Sequence, residues 1–202
     1  SEKGHTEKTK QMRQLLRDYV LILANTGMRH GTEAMNLKWR DITFVKKGDE
    51  RFLQLTVDGK RGRRILIARH QTEHYLERLY KRQKHLAKYA SLDKLLEKKI
   101  NEPVFRLASG EVTKNLAGTF RILMKESGLD KDRETKYKRS LYSLRHTYAH
   151  EVLMKERMDV YTLAKQMGTS VKMIELHYGH LNPALKADVI AGKRYVKKEE
   201  VK

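Results

Sequence analysis

Apolar residues recur every three or four positions from residue 10 to residue 26, where Met12, Leu15, Leu16, Tyr19, Ile22 and Leu23 fall on one face of a helix. Gly27 stands where a left-handed cap would close it. A second, short helix is predicted from Thr32 as N-cap, carrying Ala34, Met35 and Leu37 towards Trp39 and Asp41, with Arg29 in the turn between the two. The period then falls to two. The runs DITFV, RFLQLTV and RRILIA, separated by the polar turns KKGDE and DGKRG, predict three antiparallel strands with Lys60 at a hairpin tip.

Helical spacing returns at Thr72, with Tyr75, Leu76, Leu79 and Tyr80 on one face and a charged continuation to about Lys88. LDKLLEKK predicts a further helix, as does TKNLAGTFRILMKESG, opened by Thr113 and closed by Gly128. Residues 129–139 are mostly charged and read as an exposed loop. Helices follow over roughly 143–155, 159–167 and 170–179, with Asp159 and Ser170 as N-caps and Gly168 as the break. The whole predicts an α+β, mainly α-helical fold with a small three-stranded antiparallel sheet, without internal repeats or a low-complexity linker.

Charge narrows the choice of partner. The 202 residues include 44 Lys and Arg against 25 Asp and Glu, a formal net charge of +19. That excess runs through the patterned segments and exceeds what solubility requires, so a polyanion is expected, double-stranded DNA above others. No helix pairs a basic face with a strongly apolar one, and the longest apolar run, Tyr19 to Ala24, is too short to span a bilayer, so no membrane partner is expected. The lack of cysteine fits an intracellular, cytoplasmic setting. The polar opening SEKGHTEKTK, residues 1–10, reads as the remnant of a longer chain without a secretory leader.

Two arginines sit where a charge is odd: Arg29 after a Gly-containing turn, and Arg145 at the core-like helix start YSLRHTYAH. Taken alone, each is a surface arginine with its stem on apolar neighbours. With Lys60 and Tyr178, however, they form a set suited to metal-free phosphoryl transfer, because guanidinium forks bind phosphate oxygens bidentately and hold the extra charge of the transition state. A phenol, with a pKa of about 10, becomes a nucleophile only where a base or dense positive charge takes its proton, and a leaving alkoxide wants an acid such as Lys60. His146 and His150 lie at i, i+4, the spacing of two zinc ligands, but Thr147 stands where a zincin has glutamate and no third ligand is evident. Neither metal nor cofactor is expected.

Four blocks, TGMRHGTEAMNLKWRDI, VDGKRGRR, LYSLRHTYAHEVL and LAKQMGTSVKMIELHYGHL, resemble in order the catalytic domain of the tyrosine recombinases, the phage-integrase family. The resemblance implies that Arg29 and Arg145 clamp phosphate, that Lys60 is the general acid and that Tyr178 is the nucleophile. Glu33 is similar to the acidic residue supporting the first arginine, the alternative being a solvated carboxylate at a helix start. Two positions depart from the family pattern: Tyr142 stands in place of a usual histidine, and Thr169 in place of histidine or tryptophan. Each retains a hydroxyl that can donate to phosphate. His146 matches a family histidine that is either structural or a replacement base. His177 and His180, flanking Tyr178, read as a solvated helix end and a loop residue, with a supporting role as the alternative.

The resemblance further implies a catalytic domain over 11–181 and a C-terminal segment, 182–202. In that segment Leu185, Val189 and Ile190 pack either on their own domain or on a neighbouring protomer of a tetrameric synapse on DNA. The implied function is site-specific recombination through a 3′-phosphotyrosyl intermediate. The other readings are a catalytically impaired recombinase-fold DNA-binding module and a relative that relaxes DNA without pairing two sites.

Overall fold

Thr6 opens the first helix, α1 (Glu7–Thr26), by accepting the Thr9 N–H through its side chain, so the helix begins inside the polar opening stretch. The computed structural model describes residues 6–59, 62–155, 158–178 and 191–192; Lys60, His180, Leu185, Val189 and Ile190 lie outside the described residues. Leu15, Leu16, Tyr19, Ile22 and Leu23 of α1 are buried as the spacing requires. Gly27 ends the helix with φ +65°, and a Cβ there would meet the Tyr148 ring at 2.4 Å. Glycine is therefore needed twice over, for the left-handed turn and for the close approach of a later helix.

The short helix expected from Thr32 does not form. Residues 30–36 are a series of turns, because the hydrogen-bond step changes at each residue: Ala34 N–H reaches Arg29 O, Met35 reaches Gly31 O and Leu37 reaches Ala34 O. Gly31, at φ +88°, breaks the backbone run, and the Glu33 side chain takes the Arg29 N–H that a helix start would leave open. A single 3-10 turn, Trp39–Asp41, leads into the sheet.

Strands β1 (Ile42–Lys47), β2 (Glu50–Gly59) and β3 (Gly62–Ile67) form the expected meander in the order β1-β2-β3, all antiparallel. Leu53, Leu55 and Val57 of β2 and Leu66 of β3 face the core. Arg64 pairs across from Val57 and lies on that inward face, two residues before Leu66.

Helix α2 (Gln71–Arg82) stops short of the charged continuation expected to Lys88. Gln83 leaves the helix to donate its side-chain N–H to Val104 O, and a 3-10 turn, Lys84–Leu86, then buries Leu86. On the opposite side α2 binds Asp18, fully buried on α1, through Arg78 and Arg82. Helix α3 (Leu92–Glu97) is capped by Ser91. Helix α4 (Leu116–Glu126) starts three residues after Thr113, whose hydroxyl accepts the Asn115 N–H in a local turn instead of capping the helix.

Three short helices complete the fold: α5 (Ser143–Met154), α6 (Val160–Met167) and α7 (Val171–Tyr178). Asp159 and Ser170 accept the N–H groups of Thr162 and Met173, as N-caps do, and Gly168 turns the chain at φ +63°. Tyr148, Ala149, Val152, Leu153, Leu163, Ala164, Met167 and Ile174 make a second apolar cluster. Among the described residues no helix is long and apolar enough to cross a membrane.

Candidate functional site

Glu33 is fully buried, and four N–H groups converge on its carboxylate. Arg29 gives its backbone N–H to Oε2 at 2.7 Å and Nη1 to Oε1 at 2.6 Å; Arg64 gives Nη2 to Oε2 at 2.8 Å and Nε to Oε1 at 3.3 Å. Burial pushes the Glu33 pKa up, but the bond from Arg64 and then the Arg29 N–H outweigh it and hold the carboxyl below its ordinary range. The residue is an internal counter-ion shared by two guanidiniums, and the solvated alternative does not apply.

Three arginines then collect three consecutive carbonyls at the C-terminal end of α6. Arg64 donates to Gln166 O, Arg145 to Met167 O at 2.6 Å and Arg29 to Gly168 O at 2.7 Å. A helix end carries unpaired carbonyls and a partial negative charge, so cations belong there. The second Nη of Arg145 binds Gly27 O at 2.6 Å, joining the end of α1 to the end of α6. Arg145 is only 4% exposed; burial, and next the charge of Arg29, depress its pKa, yet an arginine keeps its proton at neutral pH. Arg29 is more open, and with Arg64, Gly168 and Thr169 it lines a cleft of about 440 Å³.

Tyr178 ends α7, and its Oη lies 2.7 Å from His146 Nδ1 on α5. With the imidazole neutral and its proton on Nε2, the phenol O–H donates to Nδ1. Burial pushes the Tyr178 pKa up to about 12, with the charge of Arg145 acting against it. Burial, then the proximity of His177 and Arg145, pulls His146 below its ordinary 6.5, so the ring is neutral at physiological pH. Tyr142, half exposed, sets its ring edge-on to His146 at 5.3 Å, and exposed His177 does the same at 5.7 Å. Beyond Tyr142 runs a larger cleft of about 700 Å³ with Lys114, Arg121, Lys125, Lys138 and Arg139 along it.

Thus Arg29, Glu33, Arg145 and Thr169 meet around the α6 terminus, while Tyr142, His146, His177 and Tyr178 form an aromatic group next to it. Arg145 and His146, adjacent on α5, join the two groups. The sequence reading missed Arg64 and Gln166. Arg64 had left a signal, a charge on the inward side of a strand whose alternation points it at the core. Gln166 had left none: its side chain pairs with Ile67 in both directions, accepting the Ile67 N–H at 3.1 Å and donating to Ile67 O at 2.6 Å.

Solved structures share this fold. The XerH site-specific recombinase bound to palindromic difH substrate, in a post-cleavage complex, superposes with a TM-score of 0.60 at 20% identity over 90% of this chain and 46% of that one. The XerA recombinase gives 0.53 at 21% over 96% and 66%. The Tn1549 transposon integrase, residues 82–397 with circular intermediate DNA, gives 0.56 at 17% over 94% and 64%. The chain thus spans about half the length of the XerH chain and up to two thirds of the others. No family model and no curated protein matches it. At such identities the likeness is one of fold, an α+β, mainly helical fold shared with these recombinase and integrase structures.

Proposed function

We propose that this chain is the catalytic part of a site-specific DNA recombinase or integrase that works through a 3′-phosphotyrosyl intermediate. One observation carries the reading: the Tyr178 phenol is held 2.7 Å from a neutral imidazole, beside buried arginines, on a recombinase fold. With a pKa near 12, almost no phenolate exists at neutral pH, so a base must take the proton as attack proceeds. His146 fills that role. Tyr178 Oη bonds to the scissile phosphorus, its proton passes to His146 Nδ1, and the bond from phosphorus to the 5′-oxygen breaks. The leaving oxygen takes a proton from Lys60, the acid that the family resemblance implies. Arg29, with N–H groups open to the cleft, grips the phosphate, while Arg145 adds buried positive charge and holds α5, α6 and α1 in place.

Double-stranded DNA is the partner this reading requires, consistent with the net charge of +19 and with the basic cleft beyond Tyr142. Assembly of several copies on DNA, with exchange of the 182–202 segment, belongs to the same proposal. The second reading, a DNA-binding module without chemistry, draws on the near-complete burial of Arg145 and the raised pKa of Tyr178. Covalent trapping separates the two. The 202-residue chain and its Tyr178→Phe variant are incubated with a randomised pool of nicked suicide duplexes and run on a denaturing gel. An adduct with wild type and none with the variant is the expected result. Equal, tight DNA binding by both proteins with no adduct from either establishes the binding module instead.

A further inference from the structure

Arg64 has no part in the phosphate-binding set, yet it touches every support on which Arg29 rests. It donates to both oxygens of Glu33, the same carboxylate that aims the Arg29 fork. Its Nη1 holds Gln166 O, two residues from the carbonyl that Arg29 holds. Its stem runs directly over the α-carbon of Gly168, where a Cβ would come within 2.4 Å of its Cδ and Nε. The side chain is only 14% exposed, so the contact is interior.

This arrangement solves a physical problem. Without Arg64, Glu33 would keep only the backbone N–H and Nη1 of Arg29 itself, so nothing outside the Arg29 turn would fix the carboxylate. Here Glu33 offers its lone pairs to donors from two strands of chain, and the carboxylate plane is set by Arg64 from one side and Arg29 from the other. The same arginine also adds a positive charge that Glu33 does not cancel, since two guanidiniums share one carboxylate.

We propose that Arg64 is a positioning residue for phosphoryl transfer, acting through Glu33 and the Gly168 turn to hold the Arg29 guanidinium in its phosphate-binding orientation. This rests on the reading above only for what Arg29 does, and the tests distinguish the two failures. The proteins are the 202-residue chain and its Arg64→Ala and Arg64→Lys variants, all studied well below their melting temperatures. The first readout needs no activity: the guanidinium N–H resonances of Arg29 in ¹H–¹⁵N spectra. They should be resolved in wild type and collapse by fast rotation in both variants, since lysine keeps the charge and loses the fork. Arg29 resonances that persist in a folded Arg64→Lys overturn the proposal, whether or not Arg64→Ala folds.

The second readout is the single-turnover rate of adduct formation at saturating DNA, beside the DNA dissociation constant. Misplacing a clamp by about an ångström costs on the order of 10²-fold in rate, so Arg64→Ala should slow trapping by about that factor while Kd stays within about threefold. Added guanidinium should recover at least about tenfold of the rate in Arg64→Ala and none in wild type. A variant rate equal to wild type, or a loss matched by weaker DNA binding, overturns the proposal. Should wild type form no adduct, the recombinase reading fails and the Arg29 spectra still decide what Arg64 does.

Discussion

The two sides of the site are held together in different ways. Between α1, the sheet and helices α2 to α4, cohesion comes from apolar burial: Trp39, Tyr19, Ile22 and Leu55 are all fully buried in one core. The α5–α7 side has a smaller apolar cluster, and two of its three helices are eight residues long, too short to persist by themselves. Tyr148 packs on Gly27 and Leu144 on the larger core, and beside these contacts the attachment is polar and directional. Arg145, Arg29 and Arg64 reach backbone carbonyls across the seam, Gln166 pairs with Ile67, and Arg69 binds Glu151 at 2.9 Å. Apolar burial tolerates small shifts, whereas hydrogen bonds from a guanidinium specify angle as well as distance. Arg29 and Glu33, the proposed clamp and its support, stand on the side with the larger apolar core, and Tyr178, the proposed nucleophile, is carried by the side whose angle those hydrogen bonds help to set.

Removing Glu33 should break this division most severely. Glu33→Ala leaves two guanidiniums facing each other in a buried site, at a cost of about 5 kcal/mol in urea unfolding. Because the folded-state pKa of Glu33 lies below its unfolded value of 4.5, its stabilisation is full above that pH and is lost as pH falls through the lower folded value. A loss under about 1 kcal/mol would mean that the seam is held by packing after all.

Next come paired cavities, one on each side. Leu55 and Leu163 are both fully buried, and Leu55→Ala should cost about 4 kcal/mol against about 3 kcal/mol for Leu163→Ala. The more telling readout is hydrogen exchange. Leu163→Ala should speed exchange in α5–α7 while the sheet amides stay protected, whereas Leu55→Ala should speed both. Uniform acceleration by Leu163→Ala would show that the two sides unfold as one.

The smallest effect sharpens the comparison at the nucleophile itself. Adduct formation should fall as pH drops through the His146 pKa, below its ordinary 6.5, because a protonated ring accepts nothing from Tyr178. His146→Gln should remove that acid limb and lower the plateau about 10²-fold, or about 2.7 kcal/mol. An unchanged pH profile in His146→Gln would assign the histidine to packing alone.

Much of this was legible along the chain because it is local. Heptad-like spacing placed α1, alternation placed three strands, and Asp159, Ser170 and Gly168 marked helix ends through chemistry that reaches only three or four residues. Arg29, Arg145 and Tyr178 stood out as charges or hydroxyls in unusual settings. Local rules failed where a distant partner competed. The Thr32 helix gave way to turns around Glu33, whose carboxylate is bound by Arg64, 31 residues away, and the end of α2 gave way to Val104 O, 21 residues from Gln83. Tertiary structure alone decided that Glu33 is buried, that His146 meets Tyr178 across 32 positions, and that Arg64 meets Gln166 across 102. A hydrogen bond specifies which atoms meet, and no periodicity records a partner so far away; only folding brings those donors and acceptors within 3 Å or so of each other.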